Sequence, residues 1–321
     1  MDRRNKSDDD NLWCGLVVSD ISTAAEILQQ GGLVAFPTET VYGLGADATN
    51  DLAVAKIYAA KGRPDFNPLI AHVEDVDQAI EFAVFSSDAL TLAARFWPGP
   101  LTLVLPRQAG CKVSLLASAG LASIALRVPR HAVAQELLRA LGRPIVAPSA
   151  NPSGRISPTT AQHVRDGLGV KVDLILDGGP CAVGLESTIV SFLDGSPRLL
   201  RSGGLGREVI EEALGRKLEG AMSGPLHSPG QLESHYAPAA AIRMNATDFR
   251  KGEARLGFGA FDAPLNLSRK GDVVEAAANL FAMLHQLDAG HPKVIAVAAI
   301  PMQGLGEAIN DRLRRAAAPR E

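Results

Sequence analysis

The sequence predicts an α/β protein in two parts, a larger mixed-sheet domain joined by an extended linker to a smaller α/β domain. Three observations predict it. Short aliphatic runs alternate with Ala-rich stretches up to about residue 202; a breaker-rich segment then runs from Gly220 to Gly230; and strand-like and helix-like patterns resume beyond His235-Tyr236-Ala237-Pro238. Alternation of this kind packs as helices layered on a sheet, and Gly/Pro-rich stretches mark the joints between such layers.

The chain has 321 residues, enough for two domains. Residues 1–12 are polar, nearly all charged or amide, and read as a disordered tail. The first domain then spans 13–218. Thr23-Ala24-Ala25-Glu26 has capping-box spacing and predicts a helix that stops at Gly31-Gly32. Leu33–Phe36, closed by Pro37, suits a buried strand. Asp51 is placed to cap a helix reaching about Ala60. Aliphatic runs at Leu101–Leu105, Ala122–Val128, Pro144–Ala147, Leu174–Leu176 and Thr188–Phe192 supply further strands, and the turn Asp194-Gly195-Ser196-Pro197 adds a hairpin that makes the sheet mixed. The linker covers 219–240. In 241–321, Ala241–Met244, Arg255–Phe261 and Val294–Ile300 look like strands. Asp272 caps a helix whose apolar stripe includes Val274, Ala277, Phe281, Leu284 and Leu287, and a last helix runs from about Leu305 to Ala317. That is a β-β-α-β-α unit.

Composition narrows the function. The net charge is -3, from 32 basic and 35 acidic side chains, and aromatic residues make up 5%. A broad duplex-binding face needs a basic excess, and a single-strand platform needs exposed rings. Little intrinsic duplex binding is therefore expected, and any polyanion site must be local. Cys14, Cys111 and Cys181 form no CxxC pair, and no disulfide framework is implied, which suits a reducing cytoplasm. The N-terminal stretch lacks an apolar h-region, and no apolar run is long enough for a bilayer, so no membrane association is expected. GxxxxGK[ST], HExxH and GxSxG are all absent, and the seven histidines show no metal-ligand spacing.

What remains is a set of polar motifs at strand ends. Pro37-Thr38-Glu39-Thr40-Val41-Tyr42-Gly43-Leu44-Gly45 is a hydroxyl-rich turn leading to two glycines. Taken alone it is equally a turn satisfied by its own hydroxyls. Lys61-Gly62-Arg63-Pro64, followed by Asn67-Pro68-Leu69-Ile70-Ala71-His72, places a point charge and a bidentate fork two residues apart. Such a pair at a helix end can also be two solvated cations favouring the dipole. Ala147-Pro148-Ser149-Ala150-Asn151-Pro152-Ser153-Gly154, with Ser157-Pro158-Thr159, offers hydroxyls and an amide for phosphate or ribose, or simply a loop of Asx and Ser/Thr turns. Arg127 ends an apolar strand, where a buried guanidinium needs an anionic partner. Glu186-Ser187-Thr188 and Arg201-Ser202-Gly203-Gly204 complete the set. Four cations (Lys61, Arg63, Arg127, Arg201) amid hydroxyls at strand ends suggest a nucleotide triphosphate and a small polar co-substrate.

Together these segments resemble the YrdC-domain family in its long two-domain form. The segments are PTETVYGLG, KGRP…NPLIAH, FWPGPLTLVL, ALRVP, APSANPSG…SPTT, LESTIV and LLRSGG, with SPGQLESHYAP and GLGEAINDRLRRAAA for the C-terminal extension. The resemblance implies an open, twisted, mixed-sheet YrdC-like domain and a Rossmann-like C-terminal domain, here shorter than usual. It implies synthesis of threonylcarbamoyladenylate and pyrophosphate from L-threonine, bicarbonate and ATP, with Mg²⁺ arriving on the ATP. A partner threonylcarbamoyl transferase complex would then modify the adenosine beside the tRNA anticodon. By the same resemblance Lys61, Arg63, Ser149 and Asn151 stand at the reacting phosphate and carbonate. Asn67, Ser123, Ser157 and Arg201 join Arg63 and Ser149 along the nucleotide, and Tyr236 of the linker approaches it. Thr40, His72, Arg127, Ala147 and Ser187 take threonine, Arg127 pairing with its carboxylate. Leu232-Glu233-Ser234 stand where the commoner linker carries basic residues. An RNA-binding module of the same fold is the competing reading. The related carbamoyl-transfer system of hydrogenase maturation carries CxxC zinc fingers, which this chain lacks.

Overall fold

The alternating face preference of the central strands decides where a ligand can sit. The computed structural model describes residues 20–63, 67–220 and 234–319. The expected tail, Cys14, Pro64 and linker residues 221–233 lie outside them.

Helix α1 is described over residues 20–29, and Thr23 lies within it rather than capping it. The chain turns at Gly31, in the left-handed region at φ 76°. Strands β1 (Val34–Phe36) and β2 (Gly43–Asp47) precede α2 (Asp51–Lys61). The cap of α2 is Asn50, not Asp51: the Asn50 side chain accepts from the Leu52 and Ala53 amides, leaving Asp51 in the first turn. Then follow β3 (Ile70–His72), α3 (Val76–Ile80), α4 (Ser87–Phe96), β4 (Leu101–Pro106) and β5 (Ser123–Arg127). Next come α5 (Ala132–Leu141), β6 (Ile145–Val146), α6 (Ala161–Leu168) and β7 (Leu174–Ile175). Strands β8 (Thr188–Ser191) and β9 (Arg198–Arg201) and helix α7 (Arg207–Leu214) close the domain. Among the described residues the strands form one sheet in the order β7-β1-β2-β6-β3-β5-β4-β8-β9. It is mixed as expected: β3/β5 and β4/β8 are parallel, whereas β4/β5 and the β8/β9 hairpin are antiparallel.

Period-2 alternation sorts side chains to two faces. Leu103, Leu105, Ile124, Leu126, Val190 and Leu199 enter the main core with α2, α4, α6 and α7. Their neighbours Val104, Ala125, Ile189 and Leu200 turn the other way and form a small separate cluster with Ile70. By the same alternation Ser123 and Arg127 share the face of Ala125, and His72 that of Ile70. This second face is where the polar motifs gather.

The C-terminal domain holds β10 (Ala241–Ala246), β11 (Ala254–Gly257), β12 (Leu265–Asn266), α8 (Val273–Asp288), β13 (Val294–Ala298) and α9 (Gly306–Ala317). Its sheet runs β10-β13-β11-β12, every neighbouring pair parallel, as a Rossmann-like layer requires. It differs from expectation at three points. The strand begun near Arg255 stops at Gly257, before Gly259 at φ 61°. A short strand, β12, had no sequence signal of its own. Asp272 does cap α8, but Val274 is 61% exposed, and the buried stripe is Ala276, Ala277, Leu280, Phe281 and Leu284.

The two domains meet closely. Val41, Ile156 and Leu185 of the first domain are buried in one apolar cluster with Tyr236 and the side chains of α8, β13 and α9. Gly184, at φ 72°, makes the approach possible, because a Cβ there would stand 2.5 Å from the Ala278 carbonyl oxygen of α8. His163 of α6 stacks on His285 of α8 at 3.9 Å between ring centroids, and the His285 Nε2 lies 3.1 Å from the Ser157 carbonyl.

Candidate active site

Parallel pairing of β3 with β5 places His72 opposite Arg127 at their C-terminal ends. The turn after β1 is built by Thr38, whose Oγ accepts from the Thr40 and Val41 amides and donates to the Val41 carbonyl at 2.7 Å. That turn is stitched to the 147–158 segment: the Tyr42 and Leu44 amides donate to the Pro158 and Pro148 carbonyls, and the Ala150 amide donates to Tyr42. Gly43 permits the close approach, since a Cβ there would lie 3.0 Å from that of Ala147.

One pocket results. It is lined by Thr40, His72, Arg127, Ala147 and Ser187, the five residues expected around threonine, and also by Arg63, Ser149, Arg201 and Tyr236 from the expected nucleotide set. Of the remaining candidates, Lys61, Asn67, Ser157 and Asn151 contact residues of its lining or their neighbours, whereas Ser123 lies at the far end of β5 from Arg127. The Lys61 Nζ donates to the carbonyls of Ser149, at 2.5 Å, and Asn151. Arg63 donates to the carbonyls of Asn67 and Pro68, at 3.4 and 3.2 Å. The Ser157 hydroxyl donates to Glu186, which lines the pocket. Ser123 starts β5 on the face that Arg127 ends. Asn67 is fully buried, with neither amide atom hydrogen-bonded among the described residues, and the Asn151 Oδ1 is likewise unsatisfied there. Buried amides of that kind suit a polar ligand.

The electrostatics favour an anion. Burial, reinforced by the Arg63 charge, holds the Lys61 ammonium well below its ordinary pKa. Burial, with Arg201 adding to it, brings Arg63 down to about 10. Burial and Arg127 push His72 down to about 3, so its ring is neutral at working pH. Burial and the surrounding cations Arg63, Lys61, Arg201 and Arg312 hold His235 well below the ordinary imidazole range. Cations crowded at low dielectric depress one another, and a polyphosphate relieves them.

Four residues to which the sequence assigned no role belong to this site. Glu39, inside the PTET motif, pairs with Arg127 at 2.8 Å. Glu186, inside LESTIV, meets Ser157 and Arg312. His235 lines the pocket beside Tyr236. Arg312 comes from α9; the only sign of it in the sequence is a charge on that helix's apolar face. Tyr236 is 1% exposed, takes φ 64°, and stacks on Phe281 with centroids 5.7 Å apart.

A family model named Sua5_yciO_yrdC, described as telomere recombination, matches residues 26–203. The chain belongs to the Sua5/YciO/YrdC family. A second model, described as the C-terminal domain of threonylcarbamoyl-AMP synthase, matches residues 205–318. A threonylcarbamoyl-AMP synthase of Bacillus subtilis is 40% identical, covering 94% of this chain and 93% of its own. One from Pyrococcus abyssi is also 40% identical, over 92% and 93%. The crystal structure of P. abyssi Sua5 complexed with L-threonine superposes with a TM-score of 0.85 at 38% identity, covering 92% of this chain and 94% of that one. Both domains of this member are therefore matched in order. No helix among the described residues is long and apolar enough to cross a membrane.

Proposed function

We infer that this chain joins L-threonine, bicarbonate and ATP into threonylcarbamoyladenylate, releasing pyrophosphate and water, for threonylcarbamoyladenosine modification of tRNA. The observation that carries the reading is the shared pocket. The amino-acid candidates Thr40, His72, Arg127, Ala147 and Ser187 line the same cavity as Arg63, Ser149, Arg201 and Tyr236.

The threonine amine attacks bicarbonate carbon, and loss of water leaves a carbamate. A carbamate oxygen then attacks the α-phosphorus of ATP; the bond to the bridging oxygen breaks and pyrophosphate departs with its electron pair. Such in-line displacement needs alignment and charge neutralisation rather than a covalent nucleophile. Arg127 takes the threonine carboxylate. Thr40 and Ser187 hydrogen-bond the substrate, and neutral His72 can accept from its amine. Lys61 and Arg63 counter the charge developing on the phosphates, with Ser149 and Asn151 alongside. Asn67, Ser123, Ser157 and Arg201 hold the nucleotide under Tyr236. Mg²⁺ would arrive on the ATP and would neutralise part of its phosphate charge. The mixed anhydride product is hydrolytically labile, which calls for a transferase complex acting on tRNA in the same cytoplasmic compartment.

The test is pyrophosphate release by the purified protein with nucleotides separated by chromatography. Release that requires both L-threonine and bicarbonate, with a new adenylate peak lost in Lys61→Ala and Arg63→Ala, supports the reading. Folded protein that yields neither product under any condition sinks it.

A further inference from the structure

Helix α9 reaches the pocket from behind with one side chain. Arg312 is 1% exposed, an unusual degree of burial for a guanidinium. Its Nε donates to the Glu186 carboxylate at 2.8 Å and its Nη1 to the Ser202 carbonyl at 2.8 Å. The guanidinium carbon lies 5.1 Å from the centroid of the Tyr236 ring. The same helix makes two further attachments nearby. The Glu307 carboxylate accepts from the Ser202 hydroxyl and from Arg207, at 2.8 and 2.7 Å, and the Arg315 carbonyl accepts from the His235 amide at 3.2 Å. Glu186, the loop after β9 and the Tyr236 ring thus converge on one cation from the second domain.

The need for that cation follows from charge. Glu186 lines a pocket whose other walls suit a polyanion, so its carboxylate repels phosphates, and besides Arg312 it attracts the guanidinium of Arg201. Burial works against its ionisation, yet Arg312, then Arg201, then the Ser157 hydroxyl hold it below the ordinary carboxylate range. Arg201 meanwhile donates to the Ser187 carbonyl from Nε and Nη2, at 3.1 and 2.9 Å. Without Arg312 the buried carboxylate is left to Arg201. Only a planar fork can meet the carboxylate, the Ser202 carbonyl and an aromatic face at once; a lysine cannot.

We propose that Arg312 is the positioning residue by which the C-terminal domain sets the nucleotide end of the site, engaging Glu186 so that Arg201 keeps its place on Ser187, and bracing the Tyr236 ring. This rests on the synthase reading above. Arg312 reaches no reacting atom, so its effect is on ATP rather than on threonine.

The experiment uses the full chain with Arg312→Met, Arg312→Lys, Glu186→Gln and the Arg312→Met/Glu186→Gln double variant. It reads KM for ATP, KM for L-threonine and kcat, together with ATP affinity by calorimetry without threonine. Arg312→Met raises KM and Kd for ATP at least ~10-fold, while kcat and the threonine KM move less than ~3-fold. Adding Glu186→Gln to it removes the orphaned carboxylate and returns KM for ATP to within ~3-fold of Glu186→Gln alone. Arg312→Lys falls between. An unchanged KM for ATP, equal losses for both substrates, or no recovery in the double variant overturns the proposal, since an arginine that merely fills the interior predicts no rescue. If Arg312→Met does not fold, the double variant decides: folded with the ATP affinity of Glu186→Gln it supports the proposal, and unfolded it refutes it. Unaltered protein that makes no adenylate defeats the synthase reading instead, and the calorimetric comparison still decides the case of Arg312.

Discussion

Arg127, which lines the pocket, forms an ion pair of 2.8 Å with Glu39, each side chain about 5% exposed, and Glu39 also accepts from the Arg130 amide at 2.9 Å. The cation assigned to the threonine carboxylate therefore already has a carboxylate beside it. Removing one partner of a buried pair costs roughly 3–5 kcal/mol, because the other is left charged and dry. Glu39→Gln is expected to lower the thermal midpoint of the ligand-free protein. L-threonine should then raise that midpoint by more than it does in unaltered protein, since its carboxylate replaces the missing charge. Equal threonine shifts in both proteins, read by scanning calorimetry, would show that Arg127 does not meet the substrate.

Acid should destabilise the fold through its buried imidazoles. Burial and Arg127 hold His72 at about 3, and burial and His285 hold His163 at about 4. Both lie below the unfolded value near 6.5, so the unfolded chain binds protons that the native rings refuse. Stability is full above about pH 6.5 and falls as pH drops toward 4. His72 alone accounts for about 2 kcal/mol at pH 5. Urea midpoints from pH 7.5 to 4.5 should show this slope, and His72→Gln should flatten it.

Nucleotide binding should carry a proton with it. Lys61 is held well below its ordinary value by burial and by Arg63, and a polyphosphate beside it reverses that shift. ATP binding then takes up protons and tightens as pH falls. Calorimetry in two buffers of different ionisation enthalpy measures the uptake directly. In Lys61→Met the uptake should vanish, and adenylate synthesis should drop by about 10²-fold or more.

The seam between domains tolerates no added atom at Gly184. A Cβ there would stand 2.5 Å from the Ala278 carbonyl oxygen and 2.6 Å from that of Ala277, at a φ of 72° that already disfavours other residues. Gly184→Ala should force α8 away from the first domain, weakening ATP binding several-fold. It should also uncouple the two domains, so that calorimetry resolves two thermal transitions where the unaltered protein is expected to give one. A single transition with native ATP affinity would mean that the seam yields without consequence.

Much of this was legible in the sequence, for identifiable reasons. Strands such as Leu101–Pro106 announce themselves because alternate side chains serve two different clusters. The candidate residues are recognisable because they sit in ordered motifs at strand ends. Adjacent Asn50 and Asp51 are both competent caps, so only backbone geometry distinguishes them. Helix α8 is so rich in alanine that several stripes fit its pattern: Ala277, Phe281 and Leu284 of the expected stripe are buried and Leu287 packs against the same cluster, but Val274 is exposed. Glu39, Glu186 and Arg312 were hidden for another reason. A buried charge is tolerable only with a partner, and of the two carboxylates on Arg312 one, Asp311, is adjacent in sequence while Glu186 lies 126 positions away. No local pattern encodes such a pair.

That separation has a consequence for how the protein comes into being. A ribosome delivers the large sheet and the first-domain walls of the pocket, Glu186 among them, long before it delivers α9, and domains fold as they emerge. Until Arg312 arrives, the nascent molecule carries a stranded carboxylate in its nucleotide cleft and lacks the brace beneath Tyr236. A chain cut short after the first domain but before Arg312 is expected to hold ATP poorly. If Arg312 acts as proposed, a full hold on ATP is expected only once translation has passed α9.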